Sequence, residues 1–267
     1  MRYGRNERCR VGGGRTWSAH APMTTSGSSP AHEGSTLLRE RVGVSINAPS
    51  VPALLDVIAD AEAAGVAQLW MTQNPGSPDT LTVFAAALGR TQRVRLGTLI
   101  VPTYPRHPLA LAQQAATVAA LGPGRLRLGV GPSHRPAIEG TYGIAMDAPL
   151  AHLREYVAVL RAALWDGKVD QQGRFFTARA TLPAAPQIPL LVSALGEGAF
   201  HLAGEVSDGA ISWNCPAPYL TDVALPALRA GAQAAGRPTP PLVAHQWVAL
   251  SDDRAGVVAA LQQTLRG

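Results

Sequence analysis

From residue 41 onward, short apolar runs alternate with segments whose apolar residues recur at helical spacing. A short apolar run bounded by turn residues is typical of a buried strand, and helical recurrence is typical of an amphipathic helix. The runs predict seven strands, at residues 42–46, 68–71, 94–101, 126–130, 189–192, 209–212 and 242–250. Helices are predicted between them, at residues 52–65, 80–87, 108–121, 151–165, 197–206 and 218–235, with a last helix after residue 252. A small hairpin is predicted at residues 168–177.

The alternation indicates right-handed βαβ units and a parallel sheet, which is an α/β fold. The regularity of the units favours a (β/α)8 TIM barrel over a doubly wound sheet, and no GxGxxG follows the first strand. The pattern is one unit short, so the predicted barrel lacks its eighth strand–helix unit at the C-terminus. We expect either a C-terminally truncated product or an open barrel that a partner closes, because an unpaired sheet edge is a liability.

Residues 1–40 differ in composition from the predicted barrel domain at 41–267. They contain GGG, TTSGSSP and scattered arginines without apolar periodicity, which predicts a disordered tail. An initiation site set too early explains such a tail, and a transit peptide is the alternative, since both arginine and serine are frequent.

Composition excludes several function classes. Hydrophobic residues make up 46% of the chain and charged residues 15%, which supports a large core. Seven arginines against three glutamates before residue 42 supply +4 of the net charge of +5, so the predicted domain offers no basic face for nucleic acid. Cys9 and Cys215 form neither a disulfide framework nor a metal cluster, which favours a cytoplasmic location. No apolar run approaches the ~20 residues that span a membrane.

The carboxyl ends of the predicted strands carry polar residues, and His134 is the only one of them with a titratable side chain near neutral pH. In a barrel these ends meet at one face and form the active site. They show no pair of carboxylates, no metal-ligand cluster and no Ser–His–Asp pattern, so we expect a bound cofactor to supply the chemistry. Three features stay open at this level. His134 either takes part in the chemistry or is a histidine of a surface loop. Gly196 before a helix suits either a phosphate or a plain turn, and Trp213 either lines a pocket or fills the barrel.

Four segments resemble the bacterial luciferase-like monooxygenase superfamily. They are LGTLIVPTYPRHPLALAQQAATV, GRLRLGVGPSHRPAIEG, HLREYVAVLRAAL and LVSALGEGAFHLAGEVSDGAISW. The likeness runs from about residue 42 to the end of the chain and is greatest to actinobacterial oxidoreductases that use the deazaflavin coenzyme F-420. It implies a TIM barrel, a homodimer, and hydride transfer between the deazaflavin and a small organic substrate, with no metal.

The resemblance also implies roles for individual residues. A non-prolyl cis peptide at Leu99–Ile100, after Thr98, supports one face of the cofactor ring. The end of the fourth strand lines the cofactor and the substrate, and His134 stands where related sugar-phosphate dehydrogenases carry a catalytic glutamate. The backbone after the fifth strand binds the cofactor phosphate. The cofactor-binding residues implied are Gln73, Thr98, Leu99, Ile100, Gly131, Ser133, Ala194, Leu195, Gly196 and Trp213.

Gln73 and Asn74 stand where many relatives have an Asp-His pair. Loss of that acid–base pair disfavours sugar-phosphate oxidation, which needs a base for the hydroxyl proton. Reduction of an activated alkene, imine or ketone, or a redox step on a lipid or secondary metabolite, fits better, with His134 or Tyr104 as the proton donor. The alternatives are an FMN-dependent luciferase-like monooxygenase and an inactive, truncated paralogue that only binds.

Overall fold

Eight parallel strands form the central sheet of the protein, for which a computed structural model describes residues 40–183 and 185–266. The strands of this sheet are β1 Val44–Ser45, β2 Gln68–Met71, β3 Arg95–Thr98, β4 Val101–Pro102, β5 Leu126–Gly131, β8 Leu190–Ser193, β9 Gly209–Trp213 and β10 Leu242–His245. Their order is β1-β2-β3-β5-β8-β9-β10, with β4 also paired to β5. Because every pairing is parallel, all carboxyl ends lie at one edge of the sheet. The predicted α/β fold with a parallel sheet is confirmed.

The helices that connect the strands bury their apolar sides against one face of the sheet. They are α1 Val51–Ala63, α2 Thr80–Leu88, α3 Pro108–Leu121, α4 Pro149–Arg161, α5 Glu197–Val206 and α6 Leu225–Ala234. A further helix, α7 Arg254–Arg266, follows β10, and most of its described side chains are exposed. Helix α2 begins after Asp79, whose side chain accepts a hydrogen bond from Thr82 N at 2.9 Å, as a capping residue does. The predicted hairpin is present as β6 Lys168–Gln172 and β7 Thr177–Thr181.

The other face of the sheet is concave. Trp70 of β2, Leu191 of β8 and Ile211 of β9 pack together there in one buried cluster, although they stand on strands that are not all neighbours. Glycines in the intervening strands make room for them. A Cβ on Gly97 would lie 2.3 Å from the Trp70 ring, and a Cβ on Gly129 would lie 2.7 Å from Ile211 Cδ1. The sheet is therefore curled around this cluster.

Three strand predictions need correction. The first predicted strand, residues 42–46, is reduced to Val44–Ser45, the two residues that pair with β2. The seventh predicted strand ends at His245 and not at residue 250, because its partner β9 ends at Trp213, which pairs with His245. Beyond that point Val248 and Leu250 are exposed. The third predicted strand is divided into β3 and β4 by a turn at the two residues between them.

Strands β1 and β10 are the edges of the sheet, and within the described residues no strand bonds across from one to the other. The predicted tail, residues 1–40, lies outside the described residues except for its last one.

Candidate active site

A cavity of about 320 Å³ opens at the carboxyl ends of the strands. Its wall is contributed by the ends of β2, β5, β8 and β9, the turn after β3, the loop before α4, and the first turns of α4 and α5. Most of its surface is apolar, and none of its lining residues is Asp, Glu, Lys or Arg. The lining residues are Thr72, Gln73, Asn74, Leu99, Ile100, Pro132, Ser133, His134, Met146, Pro149, Leu150, Leu153, Ser193, Leu195, Gly196, Ala199, Ile211 and Trp213.

The peptide bond between Leu99 and Ile100 is cis, as the resemblance implied, and both residues line the cavity. Thr98 lies behind this turn and is fully buried, so it does not line the cavity. Its hydroxyl donates to Gly129 O at 2.7 Å and accepts from Gly129 N at 2.8 Å, which ties β3 to β5. Gly131 is also buried, and a Cβ there would lie 2.0 Å from Ser193 Oγ. Thr98 and Gly131 thus shape the cavity from outside its lining.

His134 stands at the mouth of the cavity, where the chain leaves β5. Ser133 before it has a left-handed backbone, with φ of 65°. The carbonyl of His134 accepts hydrogen bonds from Ala137 and Ile138, which begin the helical turn Pro136–Thr141. The backbone of His134 is therefore fixed, while its imidazole is exposed at the cavity.

Gln73, at the end of β2, reaches across to the N-terminus of α2. Its Nε2 donates to Asp79 Oδ2 at 3.2 Å, and Arg106 Nη2 donates to the same oxygen at 2.8 Å. Burial raises the pKa of the Asp79 carboxyl, but the hydrogen bonds from Arg106 and Thr82 outweigh burial and leave the pKa below its usual value. Gln73 Oε1 is buried and has no hydrogen-bond partner within the described residues.

Helix α5 begins beside the cavity at Gly196, which has no side chain to cap the first turn. The amide of Ala194 donates to Ile211 O at 2.8 Å, which commits it to the sheet, and its side chain is buried. The expectation that Ala194 binds a phosphate through its N–H is therefore not met. Leu195 and Gly196 line the cavity as expected, and the Cβ direction of Gly196 points into open space.

Trp213 lines the cavity at the end of β9 and stacks on His245, with ring centroids 4.2 Å apart and planes 3° apart. Burial lowers the pKa of His245, and its Nδ1 has no partner within the described residues. No sequence motif marks His245 as a site residue. Its position beside Trp213 depends on the register between β9 and β10.

Tyr104 does not line the cavity. Its hydroxyl donates to Asp147 O at 2.7 Å, and its ring stacks on His152 at 4.0 Å. Burial raises the pKa of Tyr104, and the nearby Asp147 carboxylate raises it further. Tyr104 thus holds the loop that forms one wall of the cavity.

That wall is the part of the site that the sequence analysis missed. Met146, Pro149, Leu150 and Leu153 come from the loop after the helical turn and from the start of α4. Glu139 fixes this loop by accepting a hydrogen bond from Met146 N at 3.1 Å. The apolar residues at the start of a helix predict burial, but not that they face a ligand cavity.

Within the described residues, no group of three or more His, Cys, Asp or Glu side chains is arranged to hold a metal ion. Within the same residues, no helix has both the length and the apolar character needed to cross a membrane.

The chain is similar to proteins of a known family. The family model for luciferase-like monooxygenases matches residues 23–267. An F420-dependent glucose-6-phosphate dehydrogenase of Nakamurella multipartita is 39% identical over 180 residues, which are 64% of this chain and 52% of the relative. The chain spans about half the length of such relatives.

Two solved structures share the fold. An F420-dependent secondary alcohol dehydrogenase, solved with an F420-acetone adduct, is 25% identical with a TM-score of 0.74, covering 82% of this chain and 72% of that one. The coenzyme F420 dependent tetrahydromethanopterin reductase of Methanopyrus kandleri is 24% identical with a TM-score of 0.71, covering 80% of this chain and 67% of that one.

Proposed function

The chain belongs to the luciferase-like monooxygenase family, and we propose that it transfers a hydride between the deazaflavin coenzyme F-420 and a small organic substrate. The observation that carries the proposal is a single cavity that combines the apolar Leu99–Ile100 turn, an uncapped helix N-terminus and an uncharged lining. A site of this kind binds and orients but has few groups of its own for chemistry, which is typical of an enzyme whose cofactor reacts. Relatives named as F420-dependent support the choice of cofactor.

The residues present fit such a cofactor. Leu99, Ile100 and Ile211 offer apolar surface for a flat ring, and the unpartnered Gln73 Oε1 offers an acceptor for a polar ring edge. The first turn of α5 has no side-chain cap, and its N–H groups and the positive end of the helix dipole suit a phosphate.

When bound, the deazaflavin supplies the carbon that accepts or donates the hydride. The residues of this chain do the rest. The Leu99–Ile100 turn and Trp213 hold the ring, the apolar wall from Met146 to Leu153 excludes water, and the start of α5 binds the phosphate. His134 exchanges the proton with the substrate oxygen or carbon, since its imidazole is free at the cavity mouth. The hydroxyl of Tyr104 is occupied by Asp147, so we assign Tyr104 a structural task.

The proposal extends to the fold and its assembly. We propose that the curled sheet is the larger part of a (β/α)8 barrel, in which a further strand–helix unit joins β1 to β10. A homodimer and a cytoplasmic location, expected from the sequence, are part of the same proposal.

Titration of the purified protein with coenzyme F-420 and, in parallel, with FMN tests the function. We expect quenching of the deazaflavin fluorescence with a lower dissociation constant than that for FMN. Binding of neither compound would refute the proposal.

A luciferase-like monooxygenase that uses FMN is the second candidate. The observation in favour of this candidate is that the proposed ring-binding turn and phosphate-binding helix suit FMN as well as a deazaflavin. Oxygen consumption in the presence of reduced FMN, with tighter binding of FMN, would favour this candidate over the first.

A further inference from the structure

Three side chains form a hydrogen-bonded series that leads from the cavity wall into the protein. Gln73 lines the cavity, Asp79 accepts from its Nε2 at 3.2 Å, and Arg106 donates to the same carboxylate oxygen at 2.8 Å. The second oxygen of Asp79 accepts from Thr82 N and Thr82 Oγ1, at 2.9 and 2.8 Å. The carboxylate is thus held from three sides and has little freedom to turn.

This arrangement fixes which way the amide of Gln73 points. An ionised carboxylate only accepts hydrogen bonds, so the NH2 group of Gln73 must face Asp79 and the carbonyl oxygen must take the other direction. That oxygen, Oε1, is buried and has no partner within the described residues. A buried acceptor without a partner costs free energy, which a ligand that donates to it recovers.

We propose that Asp79 is a positioning residue that holds the Gln73 amide so that Oε1 accepts a hydrogen bond from an N–H or O–H group of the bound ligand. The inference rests on the proposed function. The donor has two sources, an N–H on the edge of the cofactor ring or the hydroxyl of an uncharged alcohol substrate. In either case the site selects for a donor and against a carbonyl at this point.

The uncharged lining strengthens the selection. With no charged side chain on the cavity wall, no cation there compensates an acceptor that faces Oε1. Loss of one hydrogen bond to a buried acceptor weakens binding by about tenfold to a hundredfold.

The first arm of the test removes the donor from the cofactor ring. Dissociation constants are measured by fluorescence for the 8-hydroxy-5-deazaflavin chromophore and for its N3-methyl derivative, with wild-type protein and with Gln73→Leu. If the ring is the source, methylation weakens binding to the wild type about tenfold or more and has no effect on Gln73→Leu.

The second arm removes the donor from the substrate. Protein loaded with coenzyme F-420 is compared for binding of propan-2-ol and its methyl ether by ligand-observed NMR. If the substrate is the source, the wild type prefers the alcohol and Gln73→Leu does not. Equal binding of both members of both pairs by the wild type would overturn the inference, whether or not any variant folds.

Asp79→Asn tests the positioning role separately. Asn keeps an oxygen for the Thr82 contacts but turns an NH2 group toward Gln73 and Arg106. Gln73 Nε2 then loses its acceptor, so the Gln73 amide reverses and presents Nε2 to the cavity. We expect the discrimination between parent and methylated ligand to disappear, while Asp56→Asn, in an exposed ion pair with Arg90, keeps it. Retained discrimination in a folded Asp79→Asn protein would contradict the role of Asp79.

Failure of this inference is distinct from failure of the proposed function. A wild type that binds neither the chromophore nor its derivative refutes the function and the inference with it. A wild type that binds the two equally, and the alcohol and ether equally, refutes the inference alone.

Discussion

The cavity at the strand ends and a groove on the helical layer differ in whether their polar groups have hydrogen-bond or ion-pair partners. The groove is larger, about 420 Å³ against about 320 Å³. It lies between α4, α5 and Arg237, which follows α6. Three arginines line it, and each has a carboxylate partner: Arg154 pairs with Glu205, and Arg161 and Arg237 pair with Asp208. The cavity has no charged lining residue, yet it holds a buried acceptor with no partner at Gln73.

The comparison shows that size and charge do not identify the site. The charges of the groove serve the fold, since Asp208 also accepts from Leu190 N at 2.9 Å and so holds the start of β8. Arg161 Nε is buried and has no partner within the described residues, but Nη2 of the same guanidinium donates to Asp208 Oδ1 at 2.8 Å. An unpaired polar atom in apolar surroundings is the stronger sign of a ligand, because the protein itself gains nothing from it.

The largest expected difference between the two regions is in turnover. His134→Ala should lower the turnover number about a hundredfold, because it removes the proton-transfer group, with a smaller change in KM. Arg154→Ala, in the groove, should leave turnover unchanged. The measurement is the steady-state rate with coenzyme F-420 and a substrate that the wild type turns over. Full activity in His134→Ala would assign the proton transfer to another group.

The groove should matter for stability instead. Asp208→Ala removes the carboxylate partner of Arg161 and Arg237 and the acceptor of the Leu190 amide, so the free energy of unfolding should fall by about 2–3 kcal/mol. Urea denaturation measures it, and the dissociation constant for the cofactor should not change. Asp170→Ala is the matched control, because its ion pair with Arg179 is exposed and should contribute less than about 1 kcal/mol. Equal losses in both variants would contradict the assignment.

A smaller effect should appear in the pH dependence of stability. His152 is buried against Tyr104 and Phe176, and burial lowers its pKa to about 4. Between about pH 6.5 and pH 4 the unfolded chain binds a proton there and the folded protein does not, so stability falls as the pH falls.

We expect this histidine to contribute about 2 kcal/mol to that loss. Urea denaturation at pH 7 and pH 4.5 should give a flatter profile for His152→Phe than for the wild type. His201→Gln, which changes an exposed histidine, should keep the wild-type slope. An unchanged slope in His152→Phe would show that the histidine titrates normally in the folded state.

The smallest expected effect is at the phosphate end of the cavity. Leu195→Glu places a negative charge beside the start of α5 and should raise the dissociation constant of coenzyme F-420 about fivefold. Leu121→Glu is the control, because Leu121 is similarly exposed at the end of α3, outside the cavity lining. Equal binding by both variants would place the phosphate elsewhere. High salt should reduce the difference.

Most of the fold could be predicted from the sequence. β2 and the start of β5 coincide with their apolar runs, because a buried strand of a parallel sheet is apolar on both faces. The end of β10 could not be predicted, since the apolar residues after His245 continue the pattern but have no strand to pair with. The extent of pairing is a property of the neighbour, β9, and not of the segment itself.

The site was predictable to the extent that it is made of strand ends. Gln73, Ile100, His134 and Trp213 come together because parallel strands deliver their carboxyl ends to one edge. The hydrogen bond from Ala194 N to Ile211 O depends on the register between β8 and β9, which a single sequence does not reveal. The link from Gln73 to Asp79 likewise depends on a side-chain contact across a turn.

The stacking of Trp213 on His245 also allows ligand binding in the cavity to be followed by tryptophan fluorescence. The chain has five tryptophans, and Trp213 is one that lines the cavity and touches a titratable ring. Its indole emission should therefore change when a ligand enters and when His245 gains a proton. Subtracting the spectrum of Trp213→Phe isolates that signal, so the protein carries an intrinsic, label-free reporter of its own occupancy.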